Sequence, residues 1–521
     1  MIETYLDNRF ITLFFLPLFT GSLTVLSFQP FNLSFVNFII LPLLFYLIVY
    51  INKKSRSVYR KKPYKKNLFI FGTCFGFGFY LSGIHWITNS LTFDENFKIL
   101  IPFGLVLVPL ILSLFFSLVT VIIGPYLNFN LHSVLLFIAG LSLSDYIRSK
   151  IFTGFPWNLW GYSFSWSDEI IQSLNILGLF SFNLIILTLF MIPAIFFTNL
   201  SFNKKVFSIC LIPLFFFLSY IFGNHTINQN QKFLETVNER FYIKVISPNF
   251  NLKYGLSKDE IYERAEKLIR YSEPKGNIKT LFVWPEGVFS GYNYKEILFL
   301  KTLFSKYFNS DHLILFGINR FDENKKGVYN SLIIVNSKLE IIKEYKKQKL
   351  VPFGEFLPFE NFFYNFGLKK ITEGYGSFLK GKKQENLVID KLNILPLICY
   401  EVIFTNLIQK SNKKTNLIIN ISEDGWFGNS IGPHQHFSKA IFRAVEKNSY
   451  LIRSANKGIS AIINNKGQVV KKLSNNEKGN IEFNVPLIES KNKNKNDLIF
   501  FLLLITYVLF FKFNINKNEK K

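Results

Sequence analysis

The 521 residues carry 60 Lys and Arg against 35 Asp and Glu, a formal charge of +25, and 49% are hydrophobic, 62 of them Phe. The apolar residues gather in about the first 223 positions and again near the C-terminus, which excludes a wholly soluble chain and points to a membrane protein with one polar domain. The basic charge flanks apolar stretches, at Lys53–Lys66, at Lys204 and Lys205, and at Lys512, Lys517, Lys520 and Lys521, so it reads as topology signal and anionic-lipid contact rather than nucleic-acid binding.

Crossing a bilayer takes about 20 mainly apolar residues. Eight stretches qualify, at about 11–28, 34–51, 67–87, 101–125, 132–149, 172–197, 206–223 and 497–512. Met1–Arg9 holds two acids and one Arg and is followed by no small-residue cleavage site, so the first stretch reads as a span rather than a signal peptide. The stretch 132–149 is the weakest, with Asp145 and Arg148 near its end. Placing the N-terminus in the cytoplasm puts the basic loops and the tail inside. The loops 29–33, 88–100 and 150–171 and the long polar segment then fall outside. The expected organisation is a bundle of about seven helices over 1–223, a soluble domain over 224–496, and a last span with a basic tail over 497–521.

Within 224–496 short β-rich runs recur at Phe241–Ile246, Thr280–Trp284, His312–Ile318, Ser331–Val335, Leu392–Ile398 and Leu417–Ile421. Tyr450–Arg453, Ile459–Ile463 and Val469–Lys472 follow, the last after an Asn465-Lys466-Gly467 turn. Lys258–Ser272 and Gln435–Lys447 have helical character. The pattern is α/β, and about 270 residues bury a core without disulfides. Cys74 and Cys210 lie in apolar stretches, which leaves Cys399 as the one thiol of the polar segment.

Three motifs there carry chemistry together. In Val283-Trp284-Pro285-Glu286-Gly287 a strand runs into Pro285, so Glu286 falls at a strand end, where α/β sites gather. Tyr345–Pro358 joins a Lys-rich stretch to the apolar Leu350-Val351-Pro352-Phe353-Gly354 and then Glu355, as in a loop folded over a pocket. Leu397-Ile398-Cys399-Tyr400-Glu401 ends a strand on a thiol. A free thiol, with a pKa of about 8.5, is mostly protonated at neutral pH. Glu286 has the chemistry of a general base that later returns the proton. A lysine ammonium offsets the charge of a tetrahedral intermediate, and the Tyr400 N–H is a natural second oxyanion donor. Two nearby histidines, His434 and His436, do not make a metal site, and no metal-ligand spacing is present.

Trp284-Pro285-Glu286-Gly287, Tyr345–Phe356 and Leu397–Glu401 resemble the Glu–Lys–Cys motifs of the nitrilase superfamily of carbon–nitrogen hydrolases. The match is closest to its membrane-embedded branch, the apolipoprotein N-acyltransferases. Phe152–Asn158, Asp424–Gly428, Gln435-His436, Arg443–Glu446 and Arg453–Ser460 agree with that branch in order. The resemblance implies an α-helical membrane bundle of about eight transmembrane helices plus an α-β-β-α sandwich. It also implies a bacterial inner-membrane location with the soluble domain in the periplasm, and no cofactor or metal. The implied reaction takes an acyl chain from a phospholipid onto the cysteine as a thioester. It then passes the chain to the α-amine of a diacylated apolipoprotein. Carried over by motif, Glu286 is the base, Cys399 the nucleophile and Lys347 the charge stabiliser, chosen because the family lysine lies eight residues before the glutamate of Pro352-Phe353-Gly354-Glu355. Glu355, Tyr400, Glu401 and Trp426 match supporting or substrate-binding positions.

Lys349 stands where nitrilase relatives often have His, and Ser247-Pro248-Asn249 where a Gln is common. The apolar loops Val351–Phe363 and Gly425–Phe427 have the character of a greasy mouth around the thiol, and Asp424, Trp426, His434 and His436 are candidates to touch substrate. Phe152–Asn158 reads either as a lipid path or headgroup site through Arg148, or as a structural cap, with Asp145 and Arg148 paired at the membrane boundary. Two competing readings are a membrane-tethered amidase or nitrilase acting on a soluble amide, and a lipid transporter or scaffold with an inert domain.

Overall fold

Apolar length dictates the helices, and strand periodicity the rest. The computed structural model describes residues 6–55, 63–253, 255–276, 278–358, 377–383, 386–409, 411, 414–490 and 496–519. Residues 56–62 of the basic cluster, 359–363 of the apolar loop, and Lys520 and Lys521 lie outside them. The chain divides into two units: Met1–Thr88 with Ile99–His225 and Lys495–Lys521, and Asn89–Lys98 with Thr226–Asn494.

Six helices among the described residues are long and apolar enough to cross a membrane, and most of their length lies in the first unit: Ser34–Lys54, Tyr64–Phe93, Glu95–Tyr126, Leu179–Phe197, Phe202–Thr236 and Asp497–Asn514. Two of the eight expected spans differ. The first is the shorter apolar helical stretch Ile11–Ser27. The fifth is the helix Leu131–Arg148, whose two charges lower its apolarity; it packs against Ile101–Ile123, Leu179–Met191 and Asn496–Glu519 as a bundle member. Small residues let helices approach closely where lipid supplies no hydrophobic drive. A Cβ on Gly72 would come within 2.8 Å of Ser117 Cα, and one on Gly76 within 2.8 Å of Ser113 Cα. Arg148 donates to Asp145 Oδ1 at 2.8 Å and to the Phe155 carbonyl, and Asn183 Nδ2 donates to Asp145 Oδ2 at 3.0 Å. Arg148 is thus committed inside the bundle, where it fastens the Phe152–Asn158 loop, and the geometry favours the structural cap over a headgroup site.

The second unit is built on two six-stranded sheets. The first has the order β12-β1-β2-β3-β4-β5, from β1 (Arg240–Ser247), β2 (Thr280–Val283), β3 (His312–Asp322), β4 (Gly327–Val335), β5 (Ile341–Lys346) and β12 (Gly479–Pro486). The second has the order β11-β10-β9-β8-β7-β6, from β6 (Leu387–Ile389), β7 (Leu392–Ile398), β8 (Leu417–Glu423), β9 (Tyr450–Asn456), β10 (Ser460–Ile463) and β11 (Val469–Leu473). One core lies between the sheets, where Ile243, Val245, Val283 and Leu315 meet Ile394, Ile398, Ile419 and Ile452. A second packs the other face of the first sheet, through Ile246, Phe282 and Trp284, against Ile261, Leu268 and Phe304 of the helices Lys258–Ser272 and Lys301–Tyr307. The helix Gly432–Lys447 packs on β9 of the second sheet. The architecture is an α-β-β-α sandwich. Because the inner strands are covered on both faces, they read as continuous apolar runs.

Candidate active site

Three strand ends converge in the sandwich. Glu286 follows β2 through Trp284-Pro285, and the Trp284 N–H still pairs with the Leu315 carbonyl at 2.8 Å before Pro285 ends the ladder. Gly287 then turns with φ of +73°, a conformation that suits glycine. A Cβ on Gly317 of β3 would sit 3.0 Å from Glu286 Cα, so that strand leaves room for the glutamate.

Lys347 follows β5 directly. Its N–H donates to the Asn330 carbonyl at 2.9 Å, and its own carbonyl accepts from Gly381 at 2.8 Å. The buried ammonium lies 2.8 Å from Glu355 Oε1 and 3.5 Å from Glu286 Oε1. Burial opposes its charge, but Glu286, Glu355 and Cys399 outweigh burial, and the net shift is upward, so Lys347 stays cationic. Glu355 is held in turn by the Val351 N–H on Oε2 at 2.9 Å.

Cys399 ends β7 on a bend with φ of +49°, a conformation a non-glycine residue adopts only under constraint from its surroundings. Glu401 supplies much of that constraint. Its Oε2 accepts from the Ile398 N–H at 2.9 Å, and its Oε1 accepts from the N–H groups of Gln348 at 2.7 Å and Lys349 at 3.0 Å. The Tyr345 hydroxyl lies 2.9 and 3.0 Å from the two oxygens. One carboxyl therefore ties the lysine loop to the cysteine bend. Burial pushes it up to about 7, held back by those backbone donors and Lys347.

The half-buried thiol is pushed up by burial and then by Glu286 and Asp424, against the pull of Lys347 and a hydrogen bond with Ser422. That environment favours the neutral thiol at neutral pH.

Some residues at this centre escape sequence reasoning. Asn330 Nδ2 donates to Glu286 Oε1 at 2.7 Å and to Glu355 Oε1 at 2.8 Å, bridging the two carboxylates that flank Lys347. The Glu423 N–H donates to Glu286 Oε2 at 3.0 Å. The available signal is a polar residue inside or at the end of a buried apolar strand, as Asn330 is in β4 and Glu423 in β8. Asp424 and His436 are fully buried and face each other at 3.0 Å, with Arg453 2.7 Å from Asp424. They build the floor beneath the site. Burial alone would raise Asp424, but Arg453 and His436 hold it well below the usual carboxylate range. Trp426 is half-buried with its ring against the edge of Phe93, and Tyr400 is half-buried with its ring 5.0 Å from that of Phe404.

Residues 20–192 match the apolipoprotein N-acyltransferase N-terminal domain, and residues 250–490 match carbon-nitrogen hydrolase. An apolipoprotein N-acyltransferase of Rickettsia bellii is 34% identical over 454 residues, covering 84% of this chain and 88% of the relative. That of Rickettsia typhi is 32% identical over 455 residues, covering 84% of this chain and 89% of its own. The chain belongs to the apolipoprotein N-acyltransferase family. A more distant member, from Rhodopseudomonas palustris, is 28% identical and covers 90% of this chain and 89% of its own. Among solved structures, Nit3 of Saccharomyces cerevisiae, a member of branch 10 of the nitrilase superfamily, overlaps 48% of this chain and 91% of its own, with 18% identity and a TM-score of 0.37. This apolipoprotein N-acyltransferase family member is an acyltransferase enzyme and a multi-pass bacterial membrane protein.

Proposed function

We propose that this acyltransferase moves an acyl chain from a phospholipid to the α-amine of the S-diacylglyceryl cysteine at the N-terminus of an apolipoprotein, through a thioester on Cys399. In the first half, Glu286 takes the thiol proton as sulfur attacks the ester carbonyl, and Lys347 offsets the oxyanion. The carbon–oxygen bond breaks, Glu286 returns the proton to the leaving oxygen, and lysophospholipid departs. In the second half, the acceptor amine attacks the thioester, its proton passes through Glu286, and the free thiol returns. Glu355 and Glu401 hold Lys347 and the Cys399 bend in place. Tyr400 offers its N–H to the oxyanion, and Trp426 lines the acyl path. The domain over 224–496 works on the periplasmic face of the inner membrane, between the bundle over 1–223 and the final span over 497–521. The positive-inside charge pattern supports that orientation.

The observation that carries this reading is one ammonium, Lys347, set between two carboxylates at 2.8 and 3.5 Å beside a thiol on a strained bend, in a chain whose described residues include six helices long and apolar enough to cross a membrane. The test pairs purified wild type with Cys399→Ala, each given phospholipid and a diacylated lipopeptide. Mass spectrometry should find triacylated peptide and an acyl thioester on Cys399 in the wild type alone. Hydrolysis of small amides with no acyl-enzyme would overturn the reading.

A further inference from the structure

The stretch Asn89–Lys98 spans the end of the apolar helix Tyr64–Phe93 and the start of Glu95–Tyr126, and it belongs to the same compact unit as the sandwich. It grips one loop there. Asn89 Nδ2 donates to the Phe427 carbonyl at 2.5 Å, and the Phe93 ring meets Trp426 edge-on at 5.3 Å and 81°. Gly428 fits under this contact. Its φ is +58°, and a Cβ there would lie 2.9 Å from Asn89 Nδ2.

The gripped loop continues directly into the candidate site. Phe427 packs its ring on His436 at 5.3 Å, and His436 lies 3.0 Å from Asp424. Ser422 donates to Asp424 at 2.7 Å, and its hydroxyl is among the groups that lower the Cys399 thiol against burial. Glu423 accepts from the Gly425 N–H at 2.9 Å and donates its own N–H to Glu286 at 3.0 Å. Residues 422–425 thus reach Glu286, while 426–428 meet Asn89 and Phe93.

We propose that Asn89 and Phe93 are positioning residues, which clamp the Gly425–Gly428 loop and so set the Glu423 amide on Glu286. The clamp places a loop between two membrane helices in control of the thiol. The acyl-transfer part of this inference rests on the function proposed above; thiol reactivity does not.

The test uses the full chain in a Cys74→Ser, Cys210→Ser background. Two readouts are taken: acyl-enzyme formation from phospholipid, and the rate of Cys399 alkylation by iodoacetamide against pH. Asn89→Asp keeps the shape but replaces the donor with a second acceptor. It should slow acyl-enzyme formation about tenfold, the scale of one lost hydrogen bond that holds geometry. It should also displace the alkylation profile, because the thiol's charged neighbours Glu286, Lys347 and Asp424 shift with the loop. Phe93→Ala should act in the same direction, and Phe93→Tyr should retain wild-type behaviour. Wild-type alkylation profiles in both Asn89→Asp and Phe93→Ala would overturn the clamp, whether or not thermal stability falls. If the wild type alkylates but never forms an acyl-enzyme, the proposed function fails while the alkylation arm still decides the clamp.

Discussion

Glu401 gives the sharpest test of how the site is held. It is fully buried, with three backbone N–H groups and the Tyr345 hydroxyl on its two oxygens. Glu401→Gln has one acceptor oxygen. Placed toward Gln348 and Lys349, it keeps both loop bonds and turns its NH2 toward the Ile398 N–H. That buried donor then lacks an acceptor, which costs about 1–3 kcal/mol. Glu401→Ala orphans all three N–H groups and costs on the order of three times as much. The pH dependence adds a second handle. Burial raises the carboxyl from 4.5 to about 7, so its contribution to stability is full below 4.5 and is lost as pH rises through 7. Across that interval wild type loses about 3 kcal/mol that Glu401→Gln does not. The gap in unfolding temperature between wild type and Glu401→Gln should therefore narrow as pH rises from about 5 to about 8. Tryptophan fluorescence of the detergent-solubilised protein, at one scan rate, reads this, and intact-mass analysis of the acyl-enzyme reads the site. A Glu401→Ala protein that melts and acylates like wild type would refute the reasoning.

Lys347→Met leaves two buried carboxylates without their cation; it should destabilise the fold by about 3–5 kcal/mol and slow acyl-enzyme formation at least about a hundredfold, read by thermal melts and intact mass. Because burial and Glu286 push the thiol up, iodoacetamide alkylation of Cys399, in a Cys74→Ser, Cys210→Ser background, should run slower than that of free cysteine at neutral pH and keep rising beyond about 8.5, whereas a plateau below pH 8 would contradict the resting thiol. Glu355→Gln removes the closer carboxylate from Lys347 and draws the ammonium onto Glu286; acyl-enzyme formation, read by intact mass, should fall about tenfold or more at every pH.

The strands legible in the sequence are those buried on both faces. β1–β4 and β7–β10 show as apolar runs because each lies inside a sheet with a layer above and below. β5, β6 and β12 pass unnoticed, and all three are sheet edges. In β5, Lys343 and Glu344 interrupt the apolar pattern, as charged residues do on edges that resist further pairing. β11 is also an edge, and only the Asn465–Gly467 turn before it betrays a hairpin. The residues that bracket the site are hidden for another reason. Asn330, Glu423 and Asn456 reach Glu286 and one another from β4, β8 and β9, so no single stretch of sequence contains their contacts. His436, singled out as a possible substrate contact, is instead fully enclosed with Asp424 and Arg453, because a buried carboxylate requires partners.

The charges around Lys347 bear on why a glutamate, rather than a preformed thiolate, fits this site. At rest the ammonium faces two carboxylates, and the thiol beside them is neutral. Making a thiolate there would put a third negative charge near one cation in a poorly solvated place. Passing the thiol proton to Glu286 avoids this. One carboxylate is neutralised as sulfur attacks, and the new charge appears on the substrate oxygen instead. In the proposed step Lys347 keeps its 2.8 Å bond to Glu355 while its looser 3.5 Å partner gives up its charge, which leaves the ammonium available to the oxyanion. Local charge is conserved through this proposed step, and the two unequal distances fit the proposed roles: the tight carboxylate holds the lysine, and the loose one carries the proton. Exchanging those roles requires Glu355→Gln to abolish the proton-transfer limb of the pH profile and Glu286→Gln to spare it, and either result would break the assignment.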